Sequence, residues 1–130
     1  MQKRVRAVII RGNSMLLIHR VKAGEEYWVF PGGGLEEVDS SPQEGLKREC
    51  LEELGVAVEI DDLLMENGGQ SFYLCRIVAG EIGTGKGSEF SRDPLLSGTY
   101  DIEWIPISIS TTKNIYPIEV RDTVVALPRL

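Results

Sequence analysis

Apolar and polar positions repeat along this chain first with a period of two and later with a period near 3.6. Residues 4–10, RVRAVII, alternate and then turn continuously apolar, as a strand does on passing from a sheet's edge to its centre. RGNS at 11–14 supplies a turn, and MLLIHR at 15–20 predicts a second strand. EEYWVF at 25–30 predicts a third, which the PGGG of 31–34 should stop as a tight turn. From Ser41 the pattern changes to helix, with Ser41 as N-cap, Pro42 at the first helical position, Glu44 where a capping box wants an acid, and Gly55 as the stop. VAVEIDDLLM and SFYLCRIVA read as two further strands around Gly68 and Gly69. The glycine-rich stretch 80–99 has no periodicity and predicts a long loop, of the kind that is usually functional or disordered. YDIEWIPI returns to strand, and a last helix should begin near Pro117, bury Val120, Val124 and Leu127, and end at Pro128.

At 130 residues the chain has the size of one ordinary domain, and a single domain over 1–130 is expected. Its 42% hydrophobic and 26% charged residues are those of a globular protein. The net charge of −6, with basic residues in short pairs only, argues against duplex nucleic acid as partner. It leaves room for a phosphorylated small molecule held through divalent cations. Cys50 and Cys75 have no metal-ligand spacing and are expected as buried thiols in a reducing compartment. The N-terminal apolar run ends at Arg11, too short for a signal peptide, and nothing approaches a membrane span, so a cytoplasmic location without membrane association is expected.

The predicted 42–54 helix crowds Glu49, Glu52 and Glu53 within five positions, although like charges at helical spacing cost about 0.2–0.5 kcal/mol per pair. At about 100° per residue the three fall in an arc of roughly 100°, beside a sector of Leu46, Cys50 and Leu54. One face should pack while the other presents oxygen ligands for a hard cation such as Mg²⁺ or Mn²⁺, whose charge would relieve the repulsion. The competing reading is a surface ion-pair ladder, because Arg48 lies four positions from both Glu44 and Glu52. Gly45 within the helix would let another backbone or a ligand approach Glu49. The backbone of Gly32, Gly33 and Gly34 can come close to phosphate or metal because no side chains intervene.

Taken together these residues resemble the box of the Nudix hydrolases, MutT-like proteins among them: G-x5-E-x7-R-E-U-x-E-E-x-G-U, U being bulky and apolar. Arg48 through Val56 matches its second half, with Cys50 at an aliphatic position. Gly33 through Asp39 matches the first half with Asp for Glu, but eight residues rather than seven then separate Asp39 from Arg48. The other register starts at Gly34 and puts Ser40 at the acidic position. The resemblance implies an α/β/α sandwich around a central mixed sheet, and Mg²⁺-dependent hydrolysis of a nucleoside diphosphate linked to another group. It further implies Glu49, Glu52 and Glu53 as metal ligands, with Glu52 and Glu53 also among the catalytic groups, Arg48 as the catalytic-site residue that holds a glutamate by ion pairing, and a carbonyl of the Gly32–Gly33 turn, that of Gly33, as an added ligand. A glutamate from the long loop often completes such sites; Glu89 is the first candidate and Glu103 the second.

Weaker signals remain. GEIGTGKGS nearly matches a P-loop, but Gly87 replaces the hydroxyl residue and no helix follows, which leaves Lys86 and Arg92 only as candidate contacts for a substrate phosphate. His19, the only histidine, is expected to pack rather than react. Trp28, Phe30, Tyr73 and Tyr116 are candidates for stacking on a base. The expected activity is hydrolysis of a nucleoside triphosphate or damaged nucleotide, with ADP-ribose or another nucleotide sugar or dinucleotide as the alternative substrate. A non-catalytic nucleotide-binding regulator is the alternative of a different class. A monomer or homodimer is expected.

Overall fold

The computed structural model describes residues 3–85 and 98–128. Eight strands run in chain order: β1 (Arg4–Arg11), β2 (Ser14–Lys22), β3 (Glu25–Val29), β4 (Gly32–Gly34), β5 (Val56–Asn67), β6 (Gln70–Gly80), β7 (Asp101–Pro106) and β8 (Ile115–Tyr116). Helix α1 (Pro42–Leu54) falls between β4 and β5, and α2 (Ile118–Ala126) follows β8. A 3₁₀ segment, Ile107–Thr112, joins β7 to β8 and had no periodic signal in the sequence.

The sheet has the order β5-β6-β1-β2-β3-β8, with β4 paired to β1 and β7 to β2. It is mixed: β1/β6 and β3/β8 are parallel and the other pairs antiparallel. The decisive feature is the meeting of β1 and β2, which pair only at the hairpin end, through Ile10↔Met15 and Arg11↔Ser14. Away from that end β1 takes β4 as neighbour and β2 takes β3 and β7. The sheet therefore divides, and a cleft opens where it does.

Alternation on the central strands sends side chains to two cores. Val5, Ala7, Ile9, Leu16 and Ile18 pack with Leu46, Cys50 and Leu54 of α1. Val8, Met15 and Leu17 pack on the other face with Val120 and Val124 of α2. Helices thus cover both faces, as the α/β/α expectation required. Each fully buried Leu contributes on the order of 2 kcal/mol by leaving water, so the pattern that places α1 also anchors it. Cys50 and Cys75 are buried free thiols, as expected. Burial pushes both above the usual thiol range, Cys75 to about 12, so neither is a reactive thiolate.

Two expectations need correction. The glycine run is not a simple turn, because Gly32–Gly34 forms β4 and pairs with β1 through Arg6, Val5 and Arg4. Only glycine allows this approach at Gly32, where φ is 144° and an added Cβ would run into the Val5 carbonyl oxygen. In the last helix Val120 and Val124 are buried as expected, but Leu127 is the C-cap and only half-buried. No helix among the described residues is long and apolar enough to cross a membrane.

Candidate active site

Helix α1 begins and ends where its caps predict. Ser41 Oγ accepts the Glu44 N–H at 3.1 Å, Pro42 occupies the first turn, and Gly55 closes the helix with φ 81° and its N–H donating to Leu51 O at 3.1 Å. Fixing both ends fixes the angular position of every acid between them.

Arg48 organises those acids. Its guanidinium makes a two-pronged pair with Asp39, Nε to Oδ1 and Nη2 to Oδ2, each at 2.9 Å. Nη2 also donates to Gly34 O at 3.2 Å, while Nη1 donates to Glu49 at 3.2 Å and Glu52 at 3.1 Å and lies 3.3 Å from Glu36. The Asp39 side chain, 6% exposed, also accepts the Glu36 N–H at 2.8 Å. The Arg48 bond, then the backbone N–H, hold its carboxyl down at about 2, and Arg48 is held firmly protonated. Asp39, not Ser40, is therefore the acid that meets Arg48, and the eight-residue gap is taken up without parting them. The surface ladder is present only in its Arg48–Glu52 rung. At Gly45 an added Cβ would stand 2.9 Å from Asp39 Oδ2 and run into Leu35, so the missing side chain seats residues of the same loop rather than a ligand.

The three glutamates divide. Glu53, expected on an exposed face, is 4% exposed, and its Oε1 accepts the Gly32 N–H at 2.8 Å. The β4 strand crosses the helix there and covers it. Glu49, its side chain 15% exposed, lies so close to Gly33 that an added Cβ would be 2.6 Å from its carboxyl. Glu52 is 48% exposed and lines a separate depression with Leu51, Gly55 and Thr84. Among the described residues, no three carboxylate, imidazole or thiol groups stand together at metal-binding spacing.

Glu49, Glu53, Gly32 and Gly33 line a cleft of about 350 Å³. Its other lining was not foreseen: Arg4 and Arg6 from β1, Arg20 from β2, with Tyr27 and Tyr100. Arg6 donates from Nε to Gln70 Oε1 at 2.7 Å and from Nη1 to Phe30 O at 3.1 Å. Burial lowers its pKa, and the nearby charges of Glu53 and Glu49 oppose that shift. Arg20 donates from Nε to Thr99 O at 2.6 Å and lies over the Tyr100 ring at 5.3 Å. The available signal was the alternation in RVRAV, which puts Arg4 and Arg6 on one side of a strand.

Other candidates fall elsewhere. Glu89, Lys86 and Arg92 lie outside the described residues. Glu103 pairs with Leu17 across the β2–β7 ladder and so faces the α2 core, where it accepts from Trp28 Nε1 at 3.2 Å and meets His19 Nδ1 at 2.8 Å. His19 also meets Glu26 at 2.8 Å and stacks on Trp28 at 4.4 Å, a packed histidine as expected. Trp28, Phe30 and Tyr73 are buried, whereas Tyr116 is 50% exposed.

The motif, its arginine clamp and the mixed sheet agree with one comparison in particular. The family model of the Nudix domain matches residues 1–92. The chain belongs to the Nudix hydrolase family. A MutT-like protein of Streptomyces ambofaciens is 42% identical over 59 residues, which are 45% of this chain and 37% of that relative. The solved Nudix hydrolase of Nitrosomonas europaea superposes with a TM-score of 0.71 at 18% identity, over 95% of this chain and 85% of that one. An ADP-ribose pyrophosphatase of Streptococcus suis superposes at 0.56 with 23% identity, over 82% of this chain and 75% of that one. Likeness at this identity establishes the Nudix fold and leaves the substrate open.

Proposed function

We propose that this Nudix chain is a divalent-cation-dependent hydrolase that cleaves a pyrophosphate bond in a nucleotide, first of all a nucleoside triphosphate or a damaged analogue. One observation carries the reading: a single cleft holds the carboxylates of Glu49 and Glu53 beside the glycine backbone of β4, together with three arginines. A carboxylate-only pocket would repel a diphosphate, and an arginine-only pocket would bind it without placing a cation. Both together suit a phosphate chain and its metal.

The donor set fits a hard cation. Glu49, Glu53 and the Gly33 carbonyl offer oxygen alone, and the glycine leaves Glu49 its space. Mg²⁺ or Mn²⁺ bound there supplies positive charge against phosphate oxygens and acidifies water. The chain's own residues do the positioning. Arg48 fixes Glu49 and ties α1 to Asp39, while Gly32 N–H orients Glu53. Arg4, Arg6 and Arg20 present guanidinium N–H groups that recognise phosphate oxygens.

The test is a screen of nucleoside triphosphates, damaged analogues, ADP-ribose and nucleotide sugars with Mg²⁺, scored by release of phosphate or pyrophosphate. Turnover of at least one substrate, abolished by chelation, is expected. Tight binding with no product from any of them would make the chain a nucleotide-binding regulator instead.

A further inference from the structure

One arginine of the cleft is held by a residue that does not line it. The β2–β7 ladder runs from Ser14↔Pro106 to His19↔Asp101, and the same register carried two residues further sets Arg20 opposite Tyr100 and Val21 opposite Thr99. Arg20 does meet its opposite number, its guanidinium lying over the Tyr100 ring at 5.3 Å. Thr99 N–H donates to Val21 O at 3.0 Å, which marks Val21 and Thr99 as a pair that in a regular ladder exchanges both backbone bonds. The return bond departs from that rule. Val21 N–H donates to the Thr99 hydroxyl oxygen at 2.8 Å rather than to the Thr99 carbonyl.

A carbonyl in a regular rung points along the sheet toward the neighbouring strand, whereas the Arg20 side chain stands out of the sheet. With Val21 N–H met by the hydroxyl, the Thr99 carbonyl is not drawn into the rung, and it accepts from Arg20 Nε at 2.6 Å. Thr99 thus holds the guanidinium by its edge while Tyr100 covers a face. An arginine side chain loses much rotamer freedom when it binds an anion. Anchoring it beforehand removes that cost from the moment a phosphate arrives.

We propose that Thr99 is a positioning residue for phosphate recognition: its hydroxyl replaces its own carbonyl in the strand pairing, and the released carbonyl sets Arg20 in the cleft. Thr99 is not among the residues that line the cleft and acts only through Arg20. The inference rests on the reading of Arg20 as a phosphate contact and adds the residue that fixes it. The arrangement requires a hydroxyl at position 99. Serine therefore preserves it, and valine, of the same shape but without an acceptor, does not.

The experiment follows two readouts in the wild type, Thr99→Ser, Thr99→Val and Thr99→Ala: affinity for inorganic pyrophosphate with Mg²⁺ by calorimetry, and hydrogen exchange of the Arg20 Nε–H by NMR. Thr99→Ser should match the wild type in both. Thr99→Val should weaken pyrophosphate binding by about fivefold, the effect of one hydrogen bond of ordinary net strength, and speed exchange of the Arg20 Nε–H. Thr99→Ala should do the same, so the comparison survives if one variant does not fold. With Arg20→Gln in place, Thr99→Val should add nothing further, because its effect passes through the missing guanidinium. On a nucleotide that is hydrolysed, Thr99→Val should raise KM far more than it lowers kcat. Loss of stability in Thr99→Val with both readouts unmoved reduces Thr99 to a strand-end contact and overturns the inference, as does a full further loss on top of Arg20→Gln. Should no nucleotide be hydrolysed, pyrophosphate affinity and the Arg20 signal still decide, so the hydrolase reading can fail while this one stands. Pyrophosphate bound equally by the wild type and Arg20→Gln, or by neither, overturns it independently.

Discussion

Along the cleft, Glu49 and Glu53 leave the same helix four residues apart, whereas Arg4 and Arg6 come from β1 and Arg20 from β2. The acidic lining is held by shared partners: Arg48 touches Glu49, Glu52 and Asp39 at once, and the β4 glycines meet both Glu49 and Glu53. The basic lining is held by separate ones, Gln70 and Phe30 O for Arg6, and Thr99 O with Tyr100 for Arg20. A shared clamp makes the acids act as a unit. Arg6 and Arg20 thus share no anchor of this kind.

Substitutions should expose that difference. The largest effect is expected from Glu53→Gln, a fall in kcat/KM on the order of a hundredfold or more, since one anionic oxygen is lost where charge matters most. The fold should survive, because the new amide oxygen still accepts the Gly32 N–H; urea unfolding beside the kinetics checks both points, and unaltered turnover would remove Glu53 from the chemistry. Next come Gly33→Ala and Arg48→Gln, each expected to lower activity roughly 10–100-fold by displacing or releasing Glu49. Because both act through the same carboxylate, the double variant should fall well short of their product, and full multiplication would contradict the shared clamp. On the basic side, Arg4→Gln and Arg20→Gln should each raise KM by about tenfold or less, and their effects should multiply.

The smallest effect concerns acid. The Arg48 guanidinium, and after it the Glu36 N–H, hold the Asp39 carboxyl at about 2, well below the usual carboxylate range. Its stabilising contribution is thus complete above about pH 4 and disappears as pH falls toward 2. Urea midpoints measured across that interval should drop in the wild type, and Asp39→Asn should lack that part of the slope. Parallel curves for the two proteins would show that the Asp39–Arg48 pair does not contribute to stability.

The same contrast explains what was legible beforehand. Helix α1 could be read because its information is local: Ser41, Pro42 and Gly55 mark its ends, and the acids lie within a few positions of one another. The burial of Glu53 could not be read, because a helical projection gives an angle but not what stands across from it, here β4. The strand character of Gly32–Gly34 was hidden for a related reason, since its pairing with β1 joins segments 28 residues apart and a glycine run carries no period. The arginine lining needs the topology itself: Arg6 and Arg20 come together because β1 and β2 part beyond their hairpin. Strand parity, had the β2–β7 register been known, would have excluded Glu103, which pairs with core-facing Leu17.

The central claim is that the acidic lining of α1 holds a divalent cation against a nucleotide's phosphates. Diffraction from crystals soaked with Mn²⁺ and a non-hydrolysable nucleoside triphosphate analogue, recorded for the manganese anomalous signal, tests it most directly. The account predicts manganese touching Glu49 and Glu53, with phosphate oxygens bridging from the metal to the arginines. Nucleotide bound in the cleft with no manganese at those carboxylates would contradict it.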